Sequence, residues 1–134
     1  MAGYSGALLA DKLGIEHGST ALVINGPGEF LSWLAPLPEG TRVGSRYRKA
    51  ELVFVFSTTP KEMRSGVGRA IRVIPKDGAI WLCWPKKASG IASDLQFRDT
   101  VMDYMFPLGL VDVKVVAISD VWSGFKFVIR KELR

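Results

Sequence analysis

The stretch Thr20-Ala21-Leu22-Val23-Ile24-Asn25-Gly26-Pro27-Gly28 decides the architecture. Its apolar run is too short for a helix and stops at Gly and Pro, which is the signature of a strand buried on both faces. The pattern recurs twice: Phe54, Val55 and Phe56 run into Ser57, Thr58 and Thr59, and Ile80 to Trp84 runs into Pro85, Lys86 and Lys87. A helical stretch follows each run. Strands alternating with helices build a parallel sheet, and in such sheets ligands bind outside the carboxyl ends of the strands. The three trailing segments are therefore expected to meet at one edge.

Between these strands the helices carry recognisable ends. Ser5 can cap a first helix whose Leu8, Leu9 and Leu13 share a face, with Gly14 at the left-handed stop. Gly28 to Ala35 reads as a short helix ending before Pro36. Thr59, Pro60 and Glu62 form a capping box that opens a helix from Pro60 to about Ile74, although Gly66 and Gly68 each cost such a helix about 1 kcal/mol. Ser93 and Gln96 make a second capping box, followed by the apolar stripe Leu95, Val101, Met105 and Leu108.

The chain closes with two strands, Val113 to Ile118 and Phe125 to Arg130. The loop between them is too short for a parallel crossover, so they pair as an antiparallel hairpin and make the sheet mixed. With the first of the pair parallel to the earlier strands, its turn, carrying Asp120 and Trp122, reaches the same edge as Gly26, Ser57 and Lys86. Thr41 to Tyr47 remains open between a short edge strand and a loop, because so few residues separate it from the next strand.

Composition narrows the function classes. With 134 residues the chain is expected to form one domain, residues 1–134, and its 48% apolar and 23% charged residues are those of a globular protein. No apolar run approaches the ~20 residues of a membrane span, and the first residues lack a basic segment with a hydrophobic stretch, so a cytoplasmic location is expected. One cysteine, Cys83, and one histidine, His17, exclude an internal disulfide and leave no ligand set for a metal or for a triad. The net charge of +5 favours anionic partners. Its local groups, Arg46, Arg48 and Lys49, then Lys86 and Lys87, then Arg130, Lys131 and Arg134, are spread along the chain, which places a nucleic-acid role last.

The element order, with Asn25-Gly26-Pro27-Gly28 after the first strand and a hairpin at the end, resembles a shortened class I S-adenosylmethionine-dependent methyltransferase core. The chain also resembles a family of small bacterial proteins, a domain of unknown function, through Lys12-Leu13-Gly14-Ile15, Trp84-Pro85-Lys86-Lys87-Ala88-Ser89-Gly90, Gly109-Leu110-Val111-Asp112-Val113-Lys114 and Trp122-Ser123-Gly124. The resemblance implies a three-layer Rossmann-like α/β fold with helices on both faces of a mostly parallel sheet. It also implies a cofactor at the first Gly-x-Gly turn. Where that superfamily carries an acidic residue this chain has Asn25, and after its second strand it offers Arg46, Tyr47, Arg48 and Lys49 in place of a carboxylate.

The expected site therefore gathers Asn25, Gly26, Gly28, Ser57, Thr58, Lys86, Lys87, Ser89, Asp94 and Trp122, with no metal and no assignable catalytic group. A like charge about 4 Å from a sulfonium costs about 1 kcal/mol in water and about 4 kcal/mol at an effective dielectric of 20. Lysines at the mouth thus favour a small anionic or nucleotide-like ligand, held near helix N-termini by a module without chemistry of its own. The alternatives are a working S-adenosylmethionine-dependent methyltransferase, and a dimeric scaffold whose crevice is closed.

Overall fold

Leu52–Phe56 and Ala79–Pro85 are buried at every position, and they form the centre of a six-stranded sheet. The computed structural model describes residues 8–87 and 97–134. Six strands follow in chain order: β1 (Thr20–Ile24), β2 (Arg42–Gly44), β3 (Leu52–Phe56), β4 (Ala79–Pro85), β5 (Leu110–Ala117) and β6 (Trp122–Ile129). Their order in the sheet is β2-β1-β3-β4-β6-β5. The first four run parallel, β6 is antiparallel to both of its neighbours, and β5 therefore points the same way as β1. The fold is the expected Rossmann-like α/β arrangement, with one reversed strand supplied by the terminal hairpin.

Strand alternation divides the core in two. Ala21, Phe54, Phe56, Trp81 and Cys83 face one side, where Ala10 of α1 (Leu9–Lys12) and Phe30 and Leu34 of α2 (Phe30–Leu34) cover them. Leu22, Val53, Val55, Ile80 and Leu82 face the other, under Met63, Val67 and Ala70 of α3 (Pro60–Ile71) and Met105 of α4 (Asp103–Met105). The helices lie on opposite faces because the crossover handedness is constant while its direction reverses: the chain leaves β1 toward β2 on one side, then moves from β3 to β4 on the other. Each large side chain buried in these layers contributes about 1.5–3 kcal/mol. Trp81 adds a bond, its Nε1–H donating to Leu13 O at 3.1 Å and fastening the end of α1 to the sheet.

Local details follow the sequence closely. Thr59 Oγ1 accepts from Glu62 N at 3.1 Å, as a capping box requires, but the Glu62 carboxylate reaches one residue further back and accepts from Thr58 N and Thr58 Oγ1. A Cβ on Gly66 would overlap Val55 Cγ1, so the glycine that weakens α3 as an isolated helix is what lets it lie against β3. Gly14 takes the left-handed φ of +77° expected after the first helix. Helix α3 ends at Ile71, three residues short of the expected end, and α2 spans five residues where eight were expected.

The open segment resolves as a strand. Residues 42–44 pair with β1 at the sheet edge, Thr20 opposite Arg42 and Leu22 opposite Gly44. A return of seven residues suffices because β2 is only three residues long: it climbs about 10 Å, and seven extended residues span up to about 23 Å. Ala50 and Tyr47 on this return pack into the α3 side of the core. The expected Ser5 cap and the Ser93–Gln96 box lie outside the described residues. Among the described residues no helix is long and apolar enough to cross a membrane.

Candidate functional site

The carboxyl ends of β1, β3, β4 and β5 all reach one edge, so the predicted convergence of loops is real. The strand order reverses between β1 and β3, and a crevice is expected there. Aromatic rings plug the α2 side of the sheet beside it. Phe56, the last residue of β3, meets Phe30 of α2 with centroids 5.0 Å apart and Trp122 of β6 at 5.0 Å, both edge to face. Trp122 is thereby explained as a half-buried ring closing the apolar face.

Beside this plug, toward β2, an open cavity of about 340 Å³ remains. Asn25, Gly26 and Gly28 line it, with Phe30 and Leu31 of α2 and Gly44 and Ser45 at the end of β2. Its floor is the sharp turn at the end of β1. Asn25 holds a left-handed φ of +56°, which asparagine tolerates better than other non-glycine residues. A Cβ on Gly26 would overlap Val23 Cγ1 and stand 3.6 Å from the Phe56 ring, so only glycine fits between the strand and the plug. The turn exists because Asn25 and Gly26 permit it together. Among the described residues the cavity lining holds no charged side chain, and its polar side chains are the amide of Asn25 and the hydroxyl of Ser45.

The other expected residues sit elsewhere on the edge. Lys86 turns toward the hairpin, where its Nζ donates to Ser119 O at 2.6 Å and its N–H donates to Val121 O at 2.7 Å. Lys87 is exposed and does not line the cavity. The Thr58 N–H and hydroxyl both donate to Glu62, at 2.9 and 3.0 Å, so the start of α3 already holds a carboxylate of its own. Those bonds also hold the Glu62 carboxyl below its ordinary range, the backbone N–H of Thr58 being the largest cause. Ser57 is buried; its N–H donates to Cys83 O, and its hydroxyl has no partner among the described residues. Ser89 and Asp94 lie outside the described residues.

Two expectations change as a result. The lysine cluster at the mouth and the free N-termini of two helices were the grounds for an anion site. In the folded chain Lys86 buttresses the hairpin, Glu62 closes α3, and the five residues of α2 make too short a dipole to hold an anion. Gly44 and Ser45 were absent from the expected site, although the end of a short edge strand in a small polar pair is the same signal that marked Asn25 and Ser57. Among the described residues no group of three or more His, Cys, Asp or Glu could hold a metal ion.

Comparison with solved structures defines the class of fold. The chain is similar to a SAM-dependent methyltransferase from Aquifex aeolicus, with TM-score 0.65 and 13% identity over 90% of this chain and 88% of that one. It is similar to a putative type 11 methyltransferase from Sulfolobus solfataricus, with TM-score 0.62 and 10% identity over 92% and 90%. The fibrillarin pre-rRNA processing protein of Methanococcus jannaschii gives TM-score 0.61 and 12% identity over 87% and 68%. The architecture is a methyltransferase-like Rossmann core. No protein-family model and no curated protein matches the sequence, so the resemblance to a small bacterial family has no match behind it.

Proposed function

We propose that the chain is a methyltransferase-type module that holds S-adenosylmethionine in the cavity formed by residues 25–28 and 44–45. The observation that carries this reading is the neutrality of the cavity beside the switch point, where the lysines expected at its mouth are turned away or lie outside the lining. A sulfonium there meets no like charge among the described residues of the lining and avoids the cost of about 1–4 kcal/mol per ammonium. The methyltransferase-like fold supports the same ligand, since several solved proteins of this fold were captured with S-adenosylmethionine or its demethylated product, one of them the DhpI–SAH complex.

The residues present fit the nucleoside end of the cofactor. Gly26 and Gly28 expose backbone to close approach, Asn25 and Ser45 offer an amide and a hydroxyl to sugar hydroxyls and ring nitrogens, and Phe30 and Leu31 supply apolar contact. When bound, the cofactor supplies an electrophilic methyl group. The chain supplies position and orientation, which is the larger share of what such a transfer asks of a protein.

Titration calorimetry of the full chain with S-adenosylmethionine and with S-adenosylhomocysteine tests the reading. Saturable one-to-one binding of both is expected, with stabilisation of about 2.7 kcal/mol at a hundred times the dissociation constant. No heat and no thermal shift with either compound would overturn it. A shift with nucleoside phosphates alone would restore the anion-binding reading.

A further inference from the structure

The positive charge of this protein is concentrated in one segment of the chain. Residues 42–76 carry nine Lys or Arg against two carboxylates, Glu51 and Glu62, so the remainder of the chain is net acidic. All nine cations are exposed. Glu62 is engaged by Thr58, and none of the nine forms an ion pair among the described residues. Arg69 of α3 donates from Nη2 to Ser45 O at 3.1 Å and clamps the helix to the 45–49 return, which joins the cations of α3 to those of the return. Lys49 and Arg72 line one groove of about 450 Å³ together with the carboxylate of Glu51. Ser45 belongs at the same time to the lining of the cofactor cavity.

We propose that this segment binds the phosphodiester backbone of a single-stranded nucleic acid. Six of the nine cations are arginines, whose planar forks suit phosphate oxygens. Tyr47 stands between Arg46 and Arg48, half-buried, with its ring beside Gly44 and packed against the α3 side of the core. The exposed part of that ring, set in a basic strip, is a stacking surface for an unpaired base. An anionic lipid surface fits less well: Ile71 is the one large apolar side chain exposed on α3, too little to enter a bilayer interface.

The test is fluorescence anisotropy of the full chain with a labelled 24-nucleotide single-stranded RNA of mixed sequence, and with the DNA of the same sequence, between 50 and 200 mM NaCl. About five phosphate contacts give a slope near −3.5 of log K on log salt, a loss of about 100-fold over that range. Arg46→Glu with Arg48→Glu, and separately Arg69→Ala with Arg72→Ala, are each expected to weaken binding at least tenfold, and the alanine pair to lower the slope by about 1.4. Lys131→Ala serves as a control and leaves both unchanged, and circular dichroism confirms that every variant is folded. Tighter binding of RNA than of DNA identifies the strand; equal binding leaves the backbone contact intact. Absence of saturable binding at 50 mM salt, binding indifferent to both double variants, or attachment to phosphatidylserine vesicles without attachment to nucleic acid would overturn the proposal. Binding is measured without S-adenosylmethionine, so failure of the cofactor reading leaves this result legible by itself.

Discussion

The ammonium of Lys86 lies 2.6 Å from the carbonyl oxygen of Ser119, which joins the end of β4 to the turn of the β5–β6 hairpin. A residue that reads as ligand-binding from its place after a buried strand is thereby a structural tie. Lys86→Ala should destabilise the protein by about 1–2 kcal/mol, the worth of a charge-assisted bond at a half-buried site, and leave S-adenosylmethionine affinity within twofold. Urea unfolding and calorimetry on one preparation measure both.

The two glycines of the β1 turn should separate stability from binding. Gly26→Ala forces a Cβ onto Val23 and is expected to cost about 1–3 kcal/mol. A Cβ on Gly28 meets nothing within 4 Å, so Gly28→Leu should leave the melting temperature within about 2 °C while weakening cofactor binding at least tenfold by filling the cavity. Loss of stability in the second variant, or unchanged binding, would argue against the assigned cavity.

Removing the indole donor of Trp81 tests the tie between α1 and the sheet. Trp81→Phe leaves Leu13 O without its partner and opens space against Phe54, whose ring stacks on the indole at 6.2 Å. An expected loss of about 2–4 kcal/mol is read from chemical denaturation.

The α3 cap should give the protein a pH-dependent increment of stability. The Glu62 carboxyl is held below its ordinary value of about 4.3 by the Thr58 N–H and then the Thr58 hydroxyl. Folding therefore gains from the ionised form above that value, and the gain is lost as pH falls from about 4.3 through the lower folded value. Glu62→Gln should flatten the stability profile in that acid window and leave it unchanged in shape near neutrality. Thr59→Ala should cost about 1 kcal/mol at neutral pH.

Cys83 is fully buried in β4, and desolvation pushes its thiol well above the ordinary value. Dithionitrobenzoate at pH 8 should leave the native thiol unmodified over the time in which the unfolded chain reacts completely. Rapid modification of the native protein would mean that β4 is accessible.

Much of this fold is legible in the amino-acid order, because short apolar runs ended by Asn-Gly-Pro-Gly, Ser-Thr-Thr and Pro-Lys-Lys allow little besides buried parallel strands. The Thr59 cap and the closing hairpin are equally local and equally readable. The candidate site is legible only where backbone conformation makes it, at Asn25, Gly26 and Gly28. Thr58 and Lys86 sit at the same edge, but each is held by a partner that sequence order does not reveal, and Ser57 is buried outside the cavity lining.

What the sequence alone determined is the set of elements, their buried faces and the edge at which their loops gather, since these follow from periodicity, chain reach and the φ that Gly, Asn and Pro accept. Tertiary structure decided the rest: that Phe30 and Trp122 close on Phe56, that Ser45 joins the cavity, and that Arg69 ties α3 to the 45–49 return. These are contacts between residues far apart in the chain, and their geometry depends on how layers pack, which no local pattern encodes.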